Sequence, residues 1–149
     1  ASELPITDMR MTRFNISLEA GVDLVMFAIG HHLGGEIFIP KIPSYKIGDV
    51  ATAIAPNIKQ IEIGIRPGEK LHEEMITATD ALNTIDLGEY YAILPSVSFK
   101  HQKDEYIKHH NAVMVPEGFH YSSDSNDQWE SVESIREKIV EFVDPNFTV

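Results

Sequence analysis

The chain has 149 residues, with 12 Lys and Arg against 23 Asp and Glu, and its net charge of −11 argues against general nucleic-acid binding and against anionic membrane surfaces. The sequence contains no cysteine, which excludes disulfides and thiolate chemistry and fits a cytoplasmic protein. No apolar run approaches the roughly 20 residues that span a bilayer, so we expect no membrane insertion.

Apolar periodicity and turn residues predict an α/β chain. In chain order they predict a helix from Leu18 to about His32 capped by Ser17, a strand at Glu36–Pro40, a helix from Lys46 or Ile47 to about Ala55, a strand at Gln60–Ile65, a helix at Glu69–Ile76, a hairpin of Thr84–Leu87 and Tyr90–Leu94, loop composition over 96–130, and a helix from Ser131 to about Val143. We expect a small, mainly parallel sheet with helices over residues 1–95, followed by a C-terminal arm and helix over 96–149. The extended, Pro-containing N-terminus favours part of a longer protein.

Arg66 and Glu69 lie where the predicted strand passes into the predicted helix. Pro67 and Gly68 between them favour a sharp turn. Ligands of α/β folds bind at the carboxyl ends of strands, where an Arg can hold a phosphate and a carboxylate can accept hydrogen bonds from sugar hydroxyls. The alternative is a surface loop whose Arg–Glu pair contributes little.

Arg10 and Arg13 come shortly before the first predicted helix. A guanidinium beside a helix N-terminus attracts an anion, because side chain and helix dipole act together. A solvated N-terminal segment is the alternative. Taken together, two Arg sites that each adjoin a helix start suit a pyrophosphate.

Other chemistries find little support in the sequence. The pairs His31-His32 and His109-His110 are poor chelators, since adjacent side chains point apart. No glycine-rich dinucleotide turn occurs, and no Tyr is followed by Lys at the fourth position after it. Covalent catalysis also lacks a recognisable nucleophile turn. We therefore expect neither a metal nor a cofactor site in this chain.

Several motifs resemble one family, namely Pro5-Ile6-Thr7-Asp8, Arg10-Met11-Thr12-Arg13-Phe14, the segment 35–44 and Ile65-Arg66-Pro67-Gly68-Glu69-Lys70-Leu71-His72-Glu73-Glu74-Met75-Ile76. They look like the C-terminal, substrate-binding half of the inverting UDP-N-acetylglucosamine 4,6-dehydratases, which act in pseudaminic-acid and capsule polysaccharide biosynthesis. These enzymes belong to the extended short-chain dehydrogenase/reductase superfamily, with a Rossmann-type fold. The resemblance covers about residues 4–95, and 121–136 resemble the family's tail.

The resemblance implies an NADP-dependent removal of water from UDP-N-acetylglucosamine that gives a 4-keto-6-deoxy sugar nucleotide, with inversion at C5. It places the NADP-binding turn and the catalytic residues in an N-terminal Rossmann half that this sequence does not include. The chain alone would then lack catalytic residues and be inactive, and its partners would be that half, the UDP-sugar and further copies of itself.

The resemblance also implies individual roles on the nucleotide-sugar side, within residues 1–95. Arg13 resembles the Arg that holds the UDP pyrophosphate, with Arg10, Met11 and Thr12 lining the same pocket. Arg66 resembles the second phosphate Arg, and Glu69 the acid that binds the ribose hydroxyls. The alternative is a non-catalytic oligomerisation or binding module derived from the family; a metal-dependent hydrolase rests only on scattered His and Asp.

Overall fold

The structure, a computed structural model, describes residues 2–95 and 100–149. Its elements in chain order are β1 (Glu3–Ile6), β2 (Thr12–Phe14), α1 (Leu18–His31), β3 (Ile37–Pro40), β4 (Ser44–Lys46), α2 (Ile47–Ile54), β5 (Lys59–Glu62), β6 (Glu74–Ile76), a 3-10 helix (Asp80–Asn83), β7 (Thr84–Asp86), β8 (Tyr90–Ile93), α3 (Lys100–His110), β9 (Val113–Met114), β10 (Tyr121–Ser122) and α4 (Val132–Phe142).

The chain divides into two compact units that alternate along the sequence. The first unit comprises Ala1–Asn15, Ile42–Glu73 and Ser122–Val149, and the second comprises Ile16–Lys41 and Glu74–Tyr121. The functional division at residue 95 stays a prediction. All six residues expected to bind the nucleotide sugar belong to the first unit.

The first unit combines two small strand pairs with two helices. Strand β1 pairs in parallel with β5, and β2 pairs antiparallel with β4. Helix α2 packs against α4, where Arg136 Nε and Nη2 donate to the carbonyls of Ala53 and Thr52 at 3.1 and 3.3 Å. The β2–β4 pair positions Thr12 and Arg13 beside the segment that carries Arg66.

The second unit is built on a four-stranded antiparallel sheet in the order β3-β8-β7-β9. Its core consists of Ile85, Ala92, Leu94 and Tyr106, each at most 6% exposed. Tyr106 lies on α3, and its hydroxyl donates to the Gly34 carbonyl at 2.5 Å. Burial raises the pKa of Tyr106, so this hydroxyl keeps its proton at neutral pH.

The α/β class is confirmed, together with several elements whose signals are local. Helix α1 starts after Ser17, whose side chain accepts from the Ala20 amide, and α4 starts with a capping box between Ser131 and Ser134. The expected hairpin is β7–β8, with Gly88 at φ 92° in its turn.

The sheet arrangement differs from the expected mainly parallel one. Strand β1 with β5 is parallel, whereas β3 pairs antiparallel with β8 and β7 pairs antiparallel with both β8 and β9. The predicted strands at 36–40 and 60–65 are therefore not neighbours in one parallel sheet. Apolar alternation locates strands, but it does not specify which strands pair.

The predicted helix at Glu69–Ile76 is also wrong, since Glu74–Ile76 forms strand β6. The carbonyls that a helix would use accept from distant amides instead, namely Leu71 O from Thr12 N at 3.1 Å and Glu73 O from Ser123 N at 2.8 Å. Long-range hydrogen bonds override the helical spacing of Leu71 and Met75 here.

The expected loop over 96–130 contains helix α3 (Lys100–His110) and strands β9 and β10. The composition of α3 is almost entirely polar, so no apolar stripe in the sequence indicates a helix there. Tyr106 nevertheless anchors it in the core of the second unit. Residues 96–99 lie outside the described residues.

Candidate functional site

Arg66 is the first residue of a hydrogen-bonded turn that begins the 66–73 segment (Arg66–Glu73). The Arg66 amide donates to Glu69 Oε2 at 2.9 Å, and the Glu69 amide donates back to the Arg66 carbonyl at 3.1 Å. Gly68 at φ 86° supplies the left-handed backbone of this turn. Arg66 is exposed, and within the described residues its guanidinium has no hydrogen-bond or ion-pair partner. Its donors are therefore available to a ligand.

Arg13 fastens the 66–73 segment to β2. Its Nη1 donates to the carbonyls of Thr12 at 2.6 Å and Leu71 at 3.2 Å, and its Nη2 donates to the Lys70 carbonyl at 2.9 Å. Its Nε lies 3.8 Å from Glu73 Oε1. A guanidinium has five N–H donors, so these three hydrogen bonds leave part of the fork for a ligand. The two predicted phosphate arginines thus lie on directly bonded segments.

Arg10 forms a bidentate pair with Asp8 rather than with the 66–73 segment. Its Nε and Nη2 donate to the two Asp8 carboxylate oxygens at 3.0 and 2.7 Å, and its amide donates to Oδ1 at 2.8 Å. The Arg10 side chain remains 72% exposed. The guanidinium and amide of Arg10 lower the pKa of Asp8 from 3.8 to about 2.

This lowered pKa predicts a specific acid sensitivity. Because the folded pKa lies below the unfolded one, ionised Asp8 contributes stability above about pH 4 that is lost as the pH falls through 2. In urea denaturation followed from pH 5 to pH 2, we expect the midpoint to fall more steeply for the native chain than for Asp8→Asn. Parallel curves for the two proteins would contradict this assignment.

Met11 and Thr12 are both 4% exposed, so neither side chain lies open to solvent. Their backbones join neighbouring elements: the Met11 carbonyl accepts from Ile47 N at 3.0 Å, and Thr12 N donates to the Leu71 carbonyl at 3.1 Å. These contacts hold β2 in place behind Arg13. A direct contact of either side chain with ligand stays a prediction.

Sequence reasoning missed three side chains that support the same segment. Glu73 Oε2 accepts from the Phe14 amide at 2.8 Å. The Thr12 hydroxyl oxygen lies 2.8 Å from His72 Nδ1 and 2.7 Å from Ser123 Oγ. Thr12 and Ser123 are 111 positions apart, and the polar run around Ser123 has the composition of an ordinary loop. No local pattern in the sequence reveals this cluster.

The exposed guanidinium of Arg66 and the carboxylate of Glu69 lie on one turn, and their chemical types suit a phosphate and sugar hydroxyls. Arginine forks match phosphate geometry, and carboxylates accept from sugar hydroxyls. Over residues 2–95 and 100–149, no group of three His, Asp or Glu side chains could hold a metal ion. In the same residues, no helix has the length and apolar content needed to cross a bilayer.

Two cavities lie on other surfaces, and neither is lined by Arg13, Arg66 or Glu69. One, of about 510 Å³, is lined by residues at and before the first turns of α1, including Leu18, Val22 and Met26. The other, of about 390 Å³, lies between α4 and the C-terminus, beside Val140 and Phe147. Both linings are predominantly apolar, unlike the arginine-bearing surface around Arg66.

The chain is similar to a family model and to known proteins of two different activities. Residues 1–95 match the family model described as polysaccharide biosynthesis protein. The chain is 50% identical over 142 residues to a UDP-N-acetylglucosamine 4,6-dehydratase (inverting) of Campylobacter jejuni, covering 93% of this chain and 42% of that protein. It is 40% identical over 95 residues to a UDP-glucose 4-epimerase of Rickettsia canadensis, covering 61% of this chain and 28% of the epimerase.

A solved structure is similar along nearly the whole chain. The X-ray structure of Pen from Bacillus thuringiensis matches with a TM-score of 0.73 and 29% identity, covering 94% of this chain and 41% of that one. The predicted short-chain dehydrogenase/reductase type of fold is confirmed by this likeness. The chain spans about two fifths of the length of the dehydratase and of the solved structure.

Proposed function

The chain belongs to the polysaccharide biosynthesis protein family, and from this premise we propose that it is the UDP-sugar-binding C-terminal portion of an inverting UDP-N-acetylglucosamine 4,6-dehydratase. The 50% identity to such an enzyme over 93% of the chain supports the proposal. The whole enzyme would remove water from UDP-N-acetylglucosamine and yield a 4-keto-6-deoxy sugar nucleotide for surface polysaccharide or pseudaminic acid. A cytoplasmic location fits a sugar-nucleotide substrate.

The observation that carries the proposal is the junction of the two arginine segments. Arg13 binds the carbonyls of Lys70 and Leu71, in the segment that starts at Arg66. Arg66 is the principal diphosphate ligand, because its guanidinium is exposed; the outer edge of Arg13 adds a second contact. The fork of Arg10 is held by Asp8, so a part for Arg10 in UDP binding rests on the family resemblance alone.

Glu69 combines two roles in this proposal. One carboxylate oxygen accepts the Arg66 amide and closes the turn. A carboxylate offers about four acceptor sites on two oxygens, so the remaining sites can accept from the ribose hydroxyl pair. The turn therefore sets the phosphate ligand and the ribose ligand at a fixed spacing.

The other half of the parent enzyme completes the chemistry. This chain contains no Gly-x-Gly-x-x-Gly turn, so we assign none of its residues to the cofactor. When bound by the N-terminal Rossmann half, NADP would supply the reversible oxidation of the sugar at C4. The residues of this chain bind and orient the UDP moiety, and the catalytic acids and bases come from the other half.

Helix α1 offers the surface on which that half would dock. None of its residues is buried, and its stripe of Leu18, Val22, Val25, Met26 and Ile29 is 53–80% exposed. The stripe runs along a 14-residue helix, about 21 Å. The chain spans 42% of the dehydratase relative, so the remainder of such a protein is the partner that would cover the stripe. A half joined through the same polypeptide avoids the entropy cost of bimolecular association.

A paired substitution tests this docking. Val22→Glu with Met26→Lys places an ion pair at i, i+4 on the exposed stripe, so the isolated chain should keep its unfolding free energy within about 0.5 kcal/mol. The chain is fused in one polypeptide to the N-terminal remainder of the Campylobacter jejuni relative, and a coupled assay gives dehydratase activity while limited proteolysis reports whether the two halves pack together. We expect the native fusion to be active and resistant to proteolysis, and the paired variant to be inactive and cleaved between the halves.

Leu82→Glu serves as the control, because Leu82 is also exposed but lies off α1. It should be active and resistant to proteolysis, as the native fusion is. Equal activity and resistance of the α1 variant would contradict the docking surface. A native chain that forms a stable homo-oligomer and ignores both UDP and the other half would favour the oligomerisation module.

A further inference from the structure

A buried cluster of hydroxyls lies beneath the 66–73 segment. Ser123 is 0% exposed, and its Oγ accepts from the Glu73 amide at 2.9 Å. The same Oγ lies 2.7 Å from Thr12 Oγ1, which in turn lies 2.8 Å from His72 Nδ1. The four groups form one continuous chain of hydrogen bonds, and its centre, Ser123, is not among the proposed UDP ligands.

The number of protons fixes the direction of this chain. Glu73 N–H can only donate to Ser123 Oγ, and each hydroxyl has a single proton. If Ser123 donates to Thr12 and Thr12 donates to His72 Nδ1, every proton has an acceptor. In the reverse direction the Ser123 proton finds no acceptor within the described part of the chain. A buried hydroxyl left unpaired is costly, so the first direction is favoured.

This direction also selects one form of His72. Its Nδ1 must act as an acceptor, so the ring proton belongs on Nε2. Nε2 lies 3.9 Å from Asp124 Oδ2, and a carboxylate on that side favours the same tautomer. Thr12 on the Nδ1 side and Asp124 on the Nε2 side therefore favour the same tautomer and the same ring orientation.

The backbone of Glu73 is held from both sides by the same short segment. Ser123 N donates to the Glu73 carbonyl at 2.8 Å, and Ser122 Oγ, which donates to Asp124 Oδ1 at 2.5 Å, lies 3.1 Å from the same carbonyl. The Glu73 carboxylate then accepts the Phe14 amide and lies near Arg13 Nε. Ser123 thus fixes both the amide and the carbonyl of Glu73, and through them the end of the 66–73 segment.

We propose that Ser123 is a positioning residue of the UDP site, acting through the relay Glu73 N–H, Ser123, Thr12 and His72. The inference rests on the proposed function, because the segment it positions carries Arg66 and Glu69. It assigns a binding role to the region after residue 95, where the sequence indicated only an arm. Ser123 is 0% exposed, so its role is to position the segment and not to contact UDP.

Three variants separate a positioning role from a purely structural one. Ser123→Ala removes the centre of the relay, Thr12→Val interrupts it with a side chain of the same shape, and Thr12→Ser restores the hydroxyl. Gln128→Ala removes an exposed polar side chain from the same loop and serves as the control. The free chain, labelled with ¹⁵N, is examined by imidazole ¹H–¹⁵N correlation spectra, and UDP affinity is measured by calorimetry.

We expect the native chain, Thr12→Ser and Gln128→Ala to show the Nε2–H tautomer of His72. Ser123→Ala and Thr12→Val should show mixed tautomers, faster amide exchange at residues 71–73 and about tenfold weaker UDP binding. A purely structural role would lower the unfolding midpoint and leave the tautomer unchanged, which would overturn the inference. If the native chain does not bind UDP, the proposed function fails, while the tautomer still decides whether the relay exists.

Discussion

Replacement of Arg66 by Ala is expected to weaken UDP binding about 10- to 100-fold. The guanidinium is exposed, and a charge-assisted hydrogen bond to phosphate contributes roughly 1.5–3 kcal/mol, with about 1.4 kcal/mol per tenfold in affinity. The free energy of unfolding should change by less than about 0.5 kcal/mol, because Arg66 is on the surface. Isothermal calorimetry with UDP and urea denaturation measure the two quantities.

Two further variants of the same segment show whether the loss of affinity in Arg66→Ala comes from the guanidinium fork or from charge alone. Arg66→Lys retains the charge but loses the planar fork, so its affinity should lie between those of the native chain and Arg66→Ala. Lys70→Ala removes an exposed charge from the same segment and should leave affinity nearly unchanged. Equal losses for Lys70→Ala and Arg66→Ala would mean that general electrostatics, rather than a specific contact, governs binding.

Replacement of Arg13 by Met should have the largest effect on both stability and binding. It removes hydrogen bonds to the carbonyls of Thr12, Lys70 and Leu71, and we expect the free energy of unfolding to fall by about 2–4 kcal/mol. UDP affinity should fall by more than about 100-fold. The variant loses the phosphate contact of Arg13 and also the hydrogen bonds that hold the segment carrying Arg66. Urea denaturation and calorimetry are again the measurements.

Arg136→Met is the matched control for this variant. Arg136 also binds two backbone carbonyls, those of Ala53 and Thr52, but these lie at the end of α2. A comparable loss of stability with unchanged UDP affinity is expected. If Arg136→Met weakened UDP binding as strongly as Arg13→Met, the effect of Arg13 would reflect general destabilisation of the first unit.

Locally encoded elements could be predicted from the sequence. The caps at Ser17 and Ser131 and the glycine turn at Gly88 involve neighbours within a few positions, so α1, α4 and the β7–β8 hairpin follow from short patterns. The apolar stripe of α1 was also visible in the sequence. The sequence did not show that this stripe is exposed in the present chain. Apolar periodicity indicates that a helix face is covered, but it does not indicate which element covers it.

Elements that depend on distant partners could not be predicted. The segment after Arg66 has helical spacing, yet its carbonyls bond to Thr12 and Ser123, so it is extended. The Arg10–Arg13 pair and the Arg66–Glu69 pair were recognisable because each adjoins a turn or a helix start. The supporting positions of His72 and Ser123 depend on contacts 60 and 111 positions away from Thr12, and no local signal reports them.

A structure of the chain with UDP bound tests the central claim most directly. The account predicts the diphosphate within about 2.7–2.9 Å of the Arg66 guanidinium, with the outer edge of Arg13 beside it and the ribose hydroxyls on Glu69. UDP bound on another surface, with Arg66 and Glu69 both out of contact with it, would contradict the account.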